Sequence, residues 1–159
     1  MQITSAELQS LILTELSSKL GLNSFKINFE TAKDLYYIPD WEETVKEIIV
    51  KFESERIPFN EIYYNCVNAS VELNALISKQ SYQKSYDDNL PGEIPPIACG
   101  LISGQLGAIG HMQNIIVLRE GEKIVIALIE PQVITADRRE GYCELDDCEL
   151  KYVFKVEFW

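Results

Sequence analysis

Along the first part of the chain, Leu8, Leu11, Ile12, Leu16 and Leu20 fall three and four positions apart, and Gly21 stops the run. That is the period of one helix face, and it predicts a helix over residues 5–20. Residues 25–38 (FKINFETAKDLYYI) are aromatic and without a clear period, and read as a short strand and a loop. A second helix is expected to begin at Asp40, an N-cap ahead of WEETVKEIIVKFE. Glu42 and Glu43 in its first turn suit the positive end of the helix dipole. Pro58 closes the connection that follows. A third helix is expected from about Asn65 through CVNASVELNALISKQ, with Val67, Val71, Leu73, Leu76 and Ile77 as its stripe. Residues 82–98, ending in PGEIPPI, read as an irregular connection. CGLISGQLGAIGH then leads into strands expected at 111–118 and 123–130, with another at 149–158. In that last strand one register puts Tyr152, Phe154 and Val156 on one face and Lys151, Lys155 and Glu157 on the other. Helices occupy the first half and strands the second, which is the α+β pattern: N-terminal helices packed against an antiparallel sheet.

No repeat, low-complexity tract or Ser/Gly-rich linker divides the chain, and its 159 residues suit a single domain over 1–159. Residues 1–39 read as a lead-in and 40–159 as the core. Apolar residues at 47% and charged residues at 25% are ordinary for a folded domain. The net charge of -11 argues against nucleic acid or an anionic membrane as partner, since both require a basic surface. The N-terminal stretch has no basic start and carries Glu7 and Glu15, unlike a signal peptide. No apolar stretch approaches the roughly 20 residues that span a bilayer. Four scattered cysteines without an export signal read as reduced thiols, so the expected location is cytoplasmic.

The two apolar runs HMQNIIVL and KIVIALIE flank Arg-Glu-Gly-Glu, a tight-turn signal. With Glu120-Gly121 as a two-residue loop, Arg119 faces Glu122 and His111 faces Glu130. Directly opposed residues point to the same face with Cα atoms about 4.5–5.5 Å apart. The only histidine of the chain is therefore expected beside a carboxylate at the open end of a hairpin. A carboxylate that accepts from one ring nitrogen fixes the tautomer and frees the other nitrogen as a base. The bland alternative is an exposed pair at a strand end.

Cys66 supplies the missing nucleophile. It sits at the expected start of the third helix, where free N–H groups and the dipole favour a thiolate. Free cysteine is more often a small buried apolar residue. Cys99 lies in an apolar stretch and reads as packed. Cys143 and Cys148 (CELDDC) hint at a metal, but one distant histidine does not complete a zinc set, and the acidic loop lacks the spacing of an EF-hand. No metal site is read from these residues.

The order "NC…A" at a helix start, "GH…N…V" on a strand and "IEPQ" at the end of the next strand resembles a papain-like cysteine peptidase family. Its relatives include the C-terminal domain of a fungal galactose-binding agglutinin and small phage and bacterial proteins. The resemblance spans roughly residues 40–135. It implies a papain-like fold in which a helix bears the nucleophile and a sheet bears the base and its orienting acid. Cys66 then matches the nucleophile, His111 the general base and Glu130 the orienting residue. Asn114 and Gln132 fall on further positions of the motifs. Asn60 and Asn65 are the amide donors that could stand in for an oxyanion-stabilising glutamine. The relatives also carry a calcium dependence, which assigns no ligands here.

The expected function is accordingly a cysteine hydrolase, a peptidase acting on peptide or protein substrates through a Cys-His-Glu triad without a cofactor. Two departures favour an alternative. Cys-Val-Asn-Ala-Ser replaces the relatives' Cys-Asp-x-Phe-Ala, and the upstream glutamine is absent. They fit a degenerate copy of the fold that serves as a binding or regulatory module. The agglutinin's sugar-binding domain has no counterpart in this sequence, which lacks trefoil repeats.

Overall fold

A computed structural model of the chain describes residues 1–21, 27–58, 65–87, 95–106 and 109–159. Strand β1 (Gln2–Thr4) leads directly into helix α1 (Ser5–Leu20). Thr4 and Glu7 form a reciprocal capping box at the junction: the Thr4 hydroxyl accepts from the Glu7 N–H, and the Glu7 carboxylate accepts from the Thr4 N–H at 2.9 Å. Short strands β2 (Asn28–Thr31) and β3 (Leu35–Tyr37) follow, and β3 pairs with β1. Asp40 caps the next helix as expected, its Oδ1 accepting from Glu42 N at 3.0 Å. The first turn, Trp41–Val45, is wide and π-helical before α2 (Lys46–Glu55) settles into α-helix.

Helix α3 runs Cys66–Asp87, two turns further than the stripe predicted, into the segment expected to be irregular. Strands β4 (Cys99–Leu106), β5 (Ile109–Glu120), β6 (Lys123–Ile129), β7 (Tyr142–Glu144) and β8 (Leu150–Phe158) complete the chain. The main sheet has the order β2-β8-β4-β5-β6-β7. The α+β class holds, with two differences of arrangement. The sheet is mixed, because β2 lies parallel to β8. The helices also divide between its faces. On one side Leu8, Ile12 and Leu16 of α1 pack on Ile115, Val117, Leu128 and Val156. On the other, Trp41 of the π-helical turn, Ile49 and Phe52 of α2, and Leu73 and Ile77 of α3 pack on Ile116, Leu118, Ala127 and Ile129. This explains the unbroken apolar run of β5: a strand covered on both faces has no solvent side to mark with polar residues.

Two registers differ from expectation, each for a local reason. The β5–β6 ladder pairs Glu120 with Lys123 and Asn114 with Ile129, so the turn is Gly121-Glu122 rather than Glu120-Gly121. Gly121 has φ 63°, and a tight hairpin turn with one positive φ places it on glycine at the first central position. In β8 the exposed side is Tyr152 and Phe154, while Val153, Val156 and Phe158 are buried. Ser103 pairs with Lys155 but Gly104 with Val153, so Phe154 is looped out as a bulge and the alternation changes phase.

Candidate functional site

The helix start that carries Cys66 is built by two asparagines. Asn65 Oδ1 accepts from Val67 N at 3.0 Å and Asn68 N at 3.4 Å, and Asn68 Oδ1 accepts from Asn65 N at 3.2 Å. One turn on, buried Ser70 clips α3 to β5 twice. Its hydroxyl donates to Met112 O at 3.1 Å, and its carbonyl accepts from Asn114 Nδ2 at 2.9 Å. These bonds straddle Gln113 and fix the beginning of α3 beside the part of β5 that bears His111.

His111 pairs with Gly104 of β4. A Cβ at Gly104 would lie 2.2 Å from Tyr152 O, so only glycine allows β8 this close to that rung. Its imidazole Nε2 is hydrogen-bonded to Glu130 Oε2, and both side chains are largely buried, at 14% and 17% exposure. The turn shift moved the register by two positions, which preserves the face. His111 and Glu130 therefore meet as diagonal neighbours, and the residue one rung beyond Asn114–Ile129, opposite Glu130, is Gln113. Gln113 Nε2 donates to Glu130 Oε2 at 3.1 Å. The sequence reading missed Gln113, and the correct turn would have found it.

Glu130 itself is held from several sides. Its N–H donates to Gly141 O at 2.7 Å, its carbonyl accepts from Ile134 N at 2.9 Å, and Oε1 accepts from Gln132 N at 3.2 Å. The loop after it is tied to α2: Arg56 Nη1 donates to Pro131 O at 3.3 Å and Ile134 O at 3.2 Å. A carboxylate at the end of a strand thus has as little freedom as one within it.

The charges follow from this arrangement. The Glu130 hydrogen bond raises the His111 pKa above its ordinary value against the opposing effect of burial, helped by the carboxylate charge and by a hydrogen bond with Cys66. Burial alone would raise Glu130, but the bonds from His111 and Gln113, the imidazolium charge and the Gln132 N–H outweigh it and hold the carboxyl low. With Nε2 committed to Glu130, Nδ1 is the ring nitrogen left for the Cys66 thiol. Cys66, His111 and Glu130 are thus brought together, the thiol half-buried at the helix start.

The other named residues lie differently. The Asn65 side chain caps α3, and the Asn114 side chain is fully buried as a clip to Ser70. Gln132 supplies its backbone N–H to Glu130, while its Nε2 is buried without a protein partner. Asn60 lies outside the described residues. Cys99 is buried beside Asn114, and burial pushes its thiol up to about 12. Among the described residues, no group of three or more His, Cys, Asp or Glu side chains is placed to hold a metal ion. Among them, too, no helix is long and apolar enough to cross a membrane.

No family model and no curated protein matches this sequence. Solved structures do match. A PSL1a–E64 complex superposes with a TM-score of 0.70 at 16% identity, over 99% of this chain and 50% of that one. Polyporus squamosus lectin bound to the epitope Neu5Aca2-6Galb1-4GlcNAc gives a TM-score of 0.65 at 17% identity, over 99% and 49%. This chain therefore spans about half the length of the lectin chains whose fold it shares. The finding agrees with the expected likeness to a fungal agglutinin and corrects the expected label of cysteine peptidase. The matched half-chains include that of a lectin, so the shared fold is not the mark of a thiol protease.

Proposed function

We propose that this chain is a ligand-binding module whose site is the place where Cys66, His111 and Glu130 meet. One observation carries the reading: the single imidazole is hydrogen-bonded to Glu130 and lies near enough to Cys66, at the start of α3, for the thiol to help raise its pKa. Such a chain keeps a donor, an acceptor and a soft nucleophile together at a helix start. The fold shared with lectin chains supports binding as the role and brings glycans to this chain as a ligand class. With a net charge of -11, neutral galactose-containing glycans suit it better than sialylated ones.

The ligands solved with the neighbours are the first probes. E64, the compound in the PSL1a complex, is expected to occupy the site at one per chain, with Cys66 as the residue it contacts. Occupancy is read by competition against iodoacetamide labelling of Cys66, with intact mass and peptide mapping. Labelling in His111→Ala is expected to fall at least tenfold near pH 6, since the substitution removes the imidazole that can take the thiol proton. Equal labelling of Cys66 in both proteins, unaffected by E64, removes the site from the proposal. Titration with Galb1-4GlcNAc and its sialylated form tests the glycan class separately.

A second reading, acyl transfer through a Cys66 thioester, is favoured by the same alignment of nucleophile, base and orienting acid. Here Nδ1 of His111 takes the thiol proton as sulfur attacks an ester or amide carbonyl, and Glu130 stabilises the imidazolium. The adduct expels the alcohol or amine as that proton is returned to it, and the thioester then passes its acyl group to water or another nucleophile. A p-nitrophenyl ester distinguishes the two. Release of one nitrophenol per chain that then stops supports capture, and continued release above the Cys66→Ser background supports transfer.

A further inference from the structure

The turn between β7 and β8 brings two thiols together that the Cys66 site does not use. Cys143 lies in β7, paired with Leu128, and Cys148 lies just before β8. Within the turn, the Asp147 N–H donates to Glu144 O at 2.9 Å and the Cys148 N–H donates to the same oxygen at 3.2 Å. This curls Cys148 back over its partner. Cys148 Sγ lies 3.1 Å from Glu144 O and 3.3 Å from Cys143 O, while Cys143 Sγ lies 3.5 Å from Glu144 O. The two sulfurs thus share one acceptor, the Glu144 carbonyl. Both are half-buried and line a cavity of about 240 Å³ with Gln113, Leu128, Asp147 and Glu149.

The geometry points to Cys143 and Cys148 as an oxidisable pair that closes to a disulfide across this turn. The inference is independent of what the Cys66 site binds. The co-reactant is a small uncharged disulfide, because Asp147 and Glu149 on the cavity wall repel anions. Cys148 Sγ is held as a thiol by two carbonyls, at 3.1 and 3.3 Å, and by burial, which raises its pKa, whereas Cys143 Sγ meets one carbonyl at 3.5 Å, so Cys143 is the attacking sulfur. Its thiolate attacks one sulfur of the reagent, expelling the first small thiolate and leaving a mixed disulfide on Cys143. The Cys143 charge is then gone, which eases ionisation of Cys148. Cys148 attacks Cys143 Sγ and expels the second small thiolate. Two protein thiols and one reagent disulfide become one protein disulfide and two small thiols.

The test treats the full chain with 2-hydroxyethyl disulfide, blocks residual thiols with N-ethylmaleimide and maps the peptides by mass spectrometry. The expected product is an internal Cys143–Cys148 link with loss of two hydrogens and no retained reagent. Cys143→Ser and Cys148→Ser are each expected to stop short of that link, the latter at the mixed disulfide on Cys143. Cys143→Ala and Cys148→Ala serve if a hydroxyl unsettles the turn. The oxidised protein is expected to melt about 5 °C higher, the gain for closing a short loop. Reagent retained on both cysteines of the wild type, or a link that runs to Cys66 or Cys99, overturns the pairing.

Discussion

Glu130→Gln isolates the charge that holds the imidazole while leaving an amide oxygen of the same size. In the native protein the carboxylate meets His111 Nε2, Gln113 Nε2 and the Gln132 N–H, and both members of the His–Glu pair are more than four-fifths buried. A hydrogen bond to a charged group contributes about 1.5–3 kcal/mol net. The glutamine oxygen still accepts one neutral bond, so the expected loss is about 1–2 kcal/mol, or roughly 2–8 °C in Tm at this chain length. The loss depends on pH in a definite direction. His111 has a raised folded pKa, so its contribution is complete below the ordinary 6.5 and fades as pH rises through the folded value. Glu130 has a lowered folded pKa, so its contribution is complete above the ordinary 4.5 and fades as pH falls through the folded value. The gap between wild type and variant is therefore widest from about pH 4.5 to 6.5. Urea unfolding of both proteins at pH 4, 5.5 and 8.5 measures it. Because the chain has one histidine, its Cε1–H proton signal reports this imidazole without assignment. The wild-type signal should titrate above 6.5 and move down in the variant. A gap that is flat with pH, or a histidine titration unmoved by the substitution, refutes the reasoning.

Other changes probe the frame around the site. Gln113→Ala removes one donor to Glu130 and should cost about 1 kcal/mol in urea unfolding, with a several-fold slower alkylation of Cys66. Asn114→Ala breaks the clip and leaves the Ser70 carbonyl only its helical partner, so about 1 kcal/mol of stability should go, seen as a lower urea midpoint at unchanged slope. Gly104→Ala forces a methyl against Tyr152 O and should disturb the β4–β8 rung beside His111, lowering Tm and exposing the β8 amides to hydrogen exchange. Gly121→Ala puts a side chain at φ 63° and should cost about 1 kcal/mol without touching Cys66 labelling.

Several elements were legible because their causes are local. The three-and-four spacing of α1, the Asp40 cap and the polar start of α3 at Asn65 all depend on residues within one or two turns. The alternation expected for β8 failed because its phase is set elsewhere, by the approach of Gly104 to the Tyr152 carbonyl. The β5–β6 turn was readable in principle, since the requirement for a positive φ selects Gly121 as the first loop residue. Strand β4 went unassigned because its glycines and serine mask a run that is buried on both faces. The clip residue Ser70 carries no sequence signal at all: a serine in a helix gains meaning only when a strand arrives beside it.

The sequence by itself determined the helix starts, the hairpin, the α+β class and the shared face of His111 and Glu130, because two-residue and 3.6-residue periods survive a shifted turn. Tertiary structure decided which side of the sheet each helix covers, the parallel seating of β2 on β8, and the meeting of Cys66 with the imidazole. Those outcomes depend on bonds between residues more than forty positions apart, such as Asn114 to Ser70, and no local pattern encodes such a distance.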